Sequence, residues 1–326
     1  MPAPSPLPPR ALPRRFRQPR LLLAGCGDVA ARIARQLNAH GSRYRVRALL
    51  RHAPESPAWS TWRALGTTPI AADLDRPRSL HRLRGIADSV IYLAPPAEDH
   101  AADCRLNRFL AALHGGRSLP RRLVLIGTTG VYGDRHGAQI DETCPVRPST
   151  ARAQRRASAE QTLRRWHRNR CRSGFATAAN GGILRVPGIY AADRLPTDRL
   201  RVGTPALRPE DDTWTNHIHA EDLARISHLA LYRAAPLRAI NACDTSQLKM
   251  GDWFDAVADA TGLPRPERLP RQELKSRVSP MLYSFMSESR RLDNTRLLRE
   301  LRVRLLYPTV HDFLATLSTT KATIPC

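Results

Sequence analysis

The chain has 326 residues, room for one large or two moderate domains with a sizeable core, and carries 52 basic against 29 acidic residues, a formal charge of +23. No apolar run approaches the ~20 residues that span a bilayer, and the first twenty residues lack the apolar region of a secretory signal, so a soluble cytoplasmic protein with no membrane partner is expected. All the basic residues except Lys249, Lys275 and Lys321 are arginine and are spread along the whole chain, which argues for compositional bias over a dedicated nucleic-acid surface.

Nonspecific attraction to polyanions follows from such a charge, and nucleic-acid binding through the arginine surface stays a minor alternative. The cysteines, Cys26, Cys104, Cys144, Cys171, Cys243 and Cys326, show neither Cys-x-x-Cys nor a His-flanked zinc spacing. They read as free thiols, and no metal is expected.

Residues 1–19 hold seven prolines and four arginines and no acid. Such a segment cannot bury an apolar face and is expected to be a disordered tail; so much proline argues against the amphipathic helix of a mitochondrial transit peptide. Leu21 to Ala24 then reads as a buried strand, broken at Gly25. From Asp28 the apolar positions recur at Val29, Ile33, Ala34 and Leu37, a helical spacing. Strand, turn and helix in succession give Gly25-Cys26-Gly27-Asp28-Val29-Ala30 its meaning as a dinucleotide-binding turn. Gly25 permits the tight bend, Gly27 lacks the Cβ that would block a pyrophosphate, and Ala30 lets helix and strand pack closely. The helix amides and the positive end of its dipole then face the phosphates. Cys26 lies where such amides lower a thiol pKa, although a tolerated small residue is the plainer reading.

Further strands are expected at Tyr44–Leu50, Pro69–Ala72, Ser89–Ala94 and Arg121–Ile126. Helical segments fall between them at Trp59–Leu65, Ser79–Arg84 and Ala102–Leu113. This alternation predicts an α/β fold, a Rossmann-type doubly wound parallel sheet, with ligands at the carboxyl ends of its strands. The second strand ends in Leu50-Arg51-His52 with no carboxylate. NAD sites place Asp or Glu there for the ribose 2′-hydroxyl, whereas an arginine suits a 2′-phosphate; the expectation is NADP in preference to NAD, with Arg51 beside the ribose.

The fifth strand runs into Gly127-Thr128-Thr129-Gly130-Val131-Tyr132-Gly133-Asp134, then Asp141-Glu142-Thr143-Cys144-Pro145. Hydroxyls at a strand mouth beside a nicotinamide site are placed to polarise a carbonyl. With these residues, Asp73-Leu74, Ile183-Leu-Arg-Val-Pro-Gly-Ile-Tyr190, Asn216-His-Ile-His219-x-Glu-Asp222, Ile240-Asn241-x-x-Asp244, Leu292-Asp-Asn-Thr-Arg-Leu297 and Tyr307-Pro308, the chain resembles the extended short-chain dehydrogenase/reductases, the NAD-dependent epimerase/dehydratase superfamily, from Arg20 to Leu317. The resemblance implies that Asp73 and Leu74 sit by the adenine, that Leu93, Ala94 and Pro95 line the cofactor, and that Thr128 takes the place of the catalytic Ser/Thr. It also implies a smaller, mostly helical carboxyl-terminal substrate lobe.

The family's Tyr-x-x-x-Lys pair is where this chain departs. Aligned on Ala159-Glu160 the pair falls on Arg152 and Arg156, and no tyrosine lies between Tyr132 and Tyr190. A phenol beside a cation exchanges a proton near neutrality; a guanidinium does not. Arg156 would supply the lysine's charge and bond the nicotinamide ribose, and Arg152 would stabilise an oxyanion or an acidic substrate group. This places the chain with an atypical subgroup whose substrate and reaction do not follow from the fold. Tyr132 is the first candidate for an alternative proton donor, against packing or cofactor contact. His136, His217 and His219 are candidates for groups that titrate near neutrality; His217 and His219 point to one side of an extended run, where a backbone-bonded structural histidine is the plainer reading. Asp134, Asp141 and Glu142 read as turn formers and loop anchors.

The sixth strand is expected within Gly174–Arg185, a loop region facing the cleft over Pro187–Thr215, a helix over Glu221–Tyr232 and a last strand at Ala239–Ala242. Helix follows from Lys249, through Leu282 to Leu301 and over Val310–Leu317, with Arg290-Arg291 as candidates for a substrate anion. The domain reading is therefore a nucleotide-binding domain over 20–186 with 216–247 returning to it, and a substrate lobe from 187–215 and 248–320. The function expected is an oxidoreductase or epimerase/dehydratase-type enzyme on a small, sugar-derived or anionic substrate, as monomer or homodimer. The alternative is a catalytically silent NADP(H)-binding sensor or scaffold.

Overall fold

The computed structural model describes residues 18–41, 43–115, 119–172 and 180–322. The expected tail over residues 1–17, the first part of the predicted sixth strand (174–179) and Cys326 lie outside them. The centre is a seven-stranded parallel sheet. Its strands are β1 (Arg20–Ala24), β2 (Arg45–Leu50), β3 (Thr68–Ala71), β4 (Ser89–Tyr92) and β5 (Arg122–Ile126), followed by Gly182–Arg185 and Arg238–Asn241. Their spatial order is Arg238–Asn241, Gly182–Arg185, β5, β4, β1, β2, β3. The chain thus reverses direction across the sheet between β1 and β4, the place where a doubly wound sheet opens a crevice.

β1 shows why its residues make an inner strand. Leu21, Leu22, Leu23 and Ala24 are all fully buried, as expected where helices cover both faces. Leu21 and Leu23 join a core with Ile33 and Leu37 of helix α1 (Asp28–Ala39) and Leu223 and Ile226 from residues 220–233. Leu22 and Ala24 point the other way, to Leu106, Phe109 and Leu110 from residues 104–114 and Leu163 from 151–172.

After α1 come α2 (Pro57–Ala64), α3 (Cys104–His114), α4 (Ala151–Arg172), α5 (Thr197–Arg201) and α6 (Ala220–Arg233). Then follow α7 (Met250–Thr261), α8 (Arg271–Arg277), α9 (Pro280–Met286), α10 (Thr295–Glu300) and α11 (Val310–Ala322). A separate core gathers Tyr190, Leu200, Ala206 and Leu207 with Trp253, Phe254, Leu274, Met286 and Phe313. Among the described residues no helix is long and apolar enough to cross a membrane.

Two expectations need revision. Leu282 to Leu301 is not one helical run: α9 ends at Met286, Arg291–Leu292 pairs in parallel with Gln139–Ile140, and α10 starts at Thr295. The break is held by tertiary bonds, since the Ser289 amide donates to Asp134 and the Leu292 amide to Asn216. The region from Pro187 to Thr215 is also more structured than a loop. Gly188–Tyr190 pairs with His217–His219, Ala206–Leu207 with Arg268–Leu269, and α5 lies between.

Candidate functional site

The turn after β1 is locked against the end of β4. Gly25 has φ +103°, and a Cβ there would lie 2.3 Å from the Ala94 nitrogen, while the Leu93 and Ala94 amides both donate to the Ala24 carbonyl. No side chain but hydrogen is tolerated at Gly25. Gly27, the N-cap of α1, is the opposite case. A Cβ on it would meet no protein atom within 4 Å, and no side chain caps the helix. An open space in front of uncapped helix amides fits a phosphate group by both shape and charge.

From this turn a groove of about 670 Å³ runs along the carboxyl ends of β1, β2, β4 and β5. Gly25, Cys26, Gly27, Asp28, Val29, Ala30, Arg51, Asp73, Leu74, Leu93, Ala94, Pro95 and Thr128 all line it, together with Arg152 and Arg156. At the β2 end, Arg51 and His52 face the groove, and the nearby Asp75 is neutralised by Arg105 at 2.6 Å. That hydrogen bond holds the Asp75 carboxyl below its ordinary range. The Cys26 thiol is pushed up to about 12 by burial, the reverse of activation by helix amides. Its sulfur faces the Leu23 carbonyl at 3.7 Å.

A second cavity of about 500 Å³ adjoins the groove. Thr128, Arg152, Pro187, Ile189, Arg194 and Phe285 line both spaces and so mark their junction. The second cavity is walled by Trp214, Trp253 and Phe254, and its cations are Arg152, Arg194, Arg199 and Arg290 against the carboxylate of Glu288. Glu288 is engaged by Arg290 at 2.9 Å. Arg291 lies elsewhere: its guanidinium covers the Trp214 ring at 5.2 Å and donates to the Gly137 carbonyl.

The two arginines of α4 are placed differently. Arg152 stacks on Phe285, 4.1 Å from the ring centroid, at the junction. Arg156 lies deeper and donates one nitrogen to the carbonyls of Ile126 and Ala94 at 3.2 and 3.4 Å, bridging the ends of β5 and β4. α4 is anchored by a buried pair, Glu160 with Arg185 at 2.8 and 3.0 Å.

Tyr132, the first candidate donor in sequence, lines neither space. It is fully buried, its hydroxyl donates to Asn241 Oδ1 at 2.7 Å, and burial pushes it up to about 12. The turn Thr129–Tyr132 after β5, with Thr128 as its cap, carries the ring inward. His217 and His219 share a side, as their spacing requires, and both pack on the Tyr190 ring. Burial lowers them to about 3 and about 4, so both are neutral at physiological pH. His217 lines the second cavity; His219 accepts the Glu221 amide and caps α6. His136 is exposed beside Asp134. Asp134 receives the Ser289 amide, Asp141 the Thr143 amide and Glu142 the Asn241 amide, all loop anchors.

The region 187–215 was expected at the cleft, but Arg194, Arg199 and Trp214 within it were not singled out, nor were Trp253 and Phe285. Only the aromatic residues left a local signal, in apolar side chains outside the sheet strands.

A family model described as the NAD dependent epimerase/dehydratase family matches residues 21–243. Among solved structures, a functionally unknown conserved protein from Silicibacter pomeroyi is 27% identical with a TM-score of 0.73. The alignment covers 94% of this chain and 100% of that one. A UDP-glucuronic acid 4-epimerase from Bacillus cereus, in complex with UDP-glucuronic acid and NAD, is 16% identical with a TM-score of 0.69, covering 92% and 98%. A dTDP-glucose 4,6-dehydratase double mutant from Streptomyces venezuelae with NAD bound is 18% identical with a TM-score of 0.71, covering 93% and 97%. No curated protein matches the chain.

Proposed function

The chain belongs to the NAD dependent epimerase/dehydratase family, and on that premise we propose that it binds NADP in the long groove and acts on a small anionic or sugar-derived substrate in the adjoining cavity. Residues 20–186 with 216–247 are the nucleotide-binding domain, and 187–215 with 248–320 the substrate lobe. The observation that carries this reading is the junction, where Thr128, Arg152, Pro187, Ile189, Arg194 and Phe285 border both spaces. A bound nicotinamide would supply hydride exchange at its C4. Thr128 would hydrogen-bond the reacting carbonyl, and Arg152 would stabilise negative charge developing there. Arg156 would hold the carboxyl ends of β4 and β5 and offer its charge to the cofactor ribose.

NADP is favoured over NAD because Arg51 and His52 face the groove at the end of β2, and Asp75, which also lines it, is paired with Arg105. The relative crystallised with UDP-glucuronic acid supports an anionic sugar derivative as the substrate class, and the cavity's arginines agree with it. A second reading, an NADP(H)-binding sensor without turnover, is favoured by the junction's chemistry. Its arginines stay charged, His217 stays neutral and Tyr132 is turned into the core.

Fluorescence titration with NADPH and NADH, followed by a metabolite screen tracking cofactor absorbance, separates these. Saturable binding in the micromolar range, tighter for NADPH, with turnover of an anionic substrate is the expected outcome. Binding without turnover of any metabolite would favour the sensor, and binding of neither dinucleotide would contradict both.

A further inference from the structure

Asp28 creates an electrostatic problem at the glycine turn. It is the first residue of α1 after Gly27 and lines the groove, so a carboxylate stands where a pyrophosphate would lie. Two arginines answer it. Arg32, one helical turn on, donates Nε to both Asp28 oxygens at 3.0 and 3.1 Å. Buried at the helix surface, it also binds Glu221 of α6 and Asp193, each at 2.7 Å. Asp193 is thereby tied to the glycine-turn helix, and this fixes its neighbour Arg194. The Arg194 Nη1 reaches Asp28 Oδ2 at 3.1 Å, while the guanidinium borders both the groove and the second cavity.

The other groove arginines are committed elsewhere or stand apart from the turn. Arg105 pairs with Asp75, Arg156 bridges strand-end carbonyls, Arg152 stacks on Phe285 and Arg51 follows β2. Among the described residues, Arg194 is the groove-lining arginine that bonds to α1. A guanidinium has five donors in a planar fork suited to phosphate oxygens, and its bond to Asp28 uses one nitrogen.

We propose that Arg194 is a phosphate ligand of the dinucleotide groove, supplied by the segment that also walls the substrate cavity. This rests on the reading that a dinucleotide occupies the groove. Arg194 contributes a cation and hydrogen bonds to the pyrophosphate and cancels the repulsion from Asp28. Pro196 and Arg199, a few residues on, line the second cavity.

The test is calorimetric titration of ADP-ribose, which carries the pyrophosphate without nicotinamide, into wild type, Arg194→Ala, Arg194→Lys and Asp28→Asn, with thermal melting of each. Arg194→Ala is expected to weaken ADP-ribose about tenfold or more, with Arg194→Lys between it and wild type. Asp28→Asn is expected to bind ADP-ribose as well as wild type or tighter, because it frees the guanidinium and removes the like charge. A purely structural ion pair predicts the opposite sign for Asp28→Asn. Equal weakening by Asp28→Asn and Arg194→Ala would therefore overturn the proposal. Unchanged binding by Arg194→Ala, with wild type binding normally, would overturn the Arg194 assignment alone. Absence of wild-type binding to both ADP-ribose and NADPH would overturn the groove reading and the proposal with it.

Discussion

Asp244, just beyond the strand Arg238–Asn241, has a buried carboxyl whose Oδ1 accepts the Ser246 amide at 2.9 Å. Burial pushes its pKa from 3.8 up to about 7, with the like charge of Asp222 adding to the rise and Tyr190 opposing it. Because the folded pKa lies above the unfolded one, the native state holds the proton more tightly. The resulting stabilisation is complete below about pH 4 and is lost progressively as pH rises through about 7. Asp244→Asn keeps an acceptor for Ser246 and removes the titration. Melting curves across that interval should show wild type losing stability relative to the variant; parallel losses would contradict the assignment. Tyr132 makes a related point about what one residue discloses. The Thr-Thr-Gly-Val-Tyr run located the strand mouth, but nothing local to the sequence said that the ring turns inward toward Asn241, 109 positions away.

At the scale of elements, α4 carries Arg152 and Arg156 and is tied to the sheet by a buried pair. Arg185 and Glu160, both about 5% exposed, join the strand Gly182–Arg185 to α4, and the Arg185 guanidinium covers the Tyr132 ring at 4.7 Å. Removing one partner leaves the other charge buried and alone, which costs about 3–5 kcal/mol. Glu160→Ala should lose stability of that order in urea unfolding, and replacing both residues by apolar side chains of similar volume should recover much of it. A loss below about 1 kcal/mol, the value of an exposed pair, would contradict the anchoring role. The strands of the sheet's first half were legible because each is a short apolar run between turn residues. The passage from Leu282 to Leu301 was not. Its apolar spacing suits a helix, and contacts from Asp134, Asn216 and the Gln139–Ile140 strand divide it. In hindsight, Asp293-Asn294-Thr295 held the signal, since the Thr295 amide bonds the Asp293 carboxylate just as α10 begins.

Across the whole molecule the arginine excess has an internal use that composition alone did not reveal. Arg47, Arg170, Arg225, Arg233, Arg290 and Arg296 each donate to a backbone carbonyl of a segment distant in sequence. These arginines join segments distant in sequence, in keeping with the even spread of the charge along the chain. The same background hid Arg32 and Arg194, which look like any other arginine in sequence yet join the glycine turn to the segment facing the second cavity. The turn itself was readable because its requirements are steric: Gly25 cannot bear a Cβ, and Gly27 opens onto empty space. What the turn serves depends on the meeting of groove and cavity at Thr128, Arg152 and Phe285. The most direct measurement is a crystal structure of the protein soaked with NADPH. The account predicts the diphosphate in front of Gly27 and nicotinamide C4 at the junction, nearest Thr128, Arg152 and Phe285. A nicotinamide lying away from that junction, or a dinucleotide bound outside the groove, would contradict it.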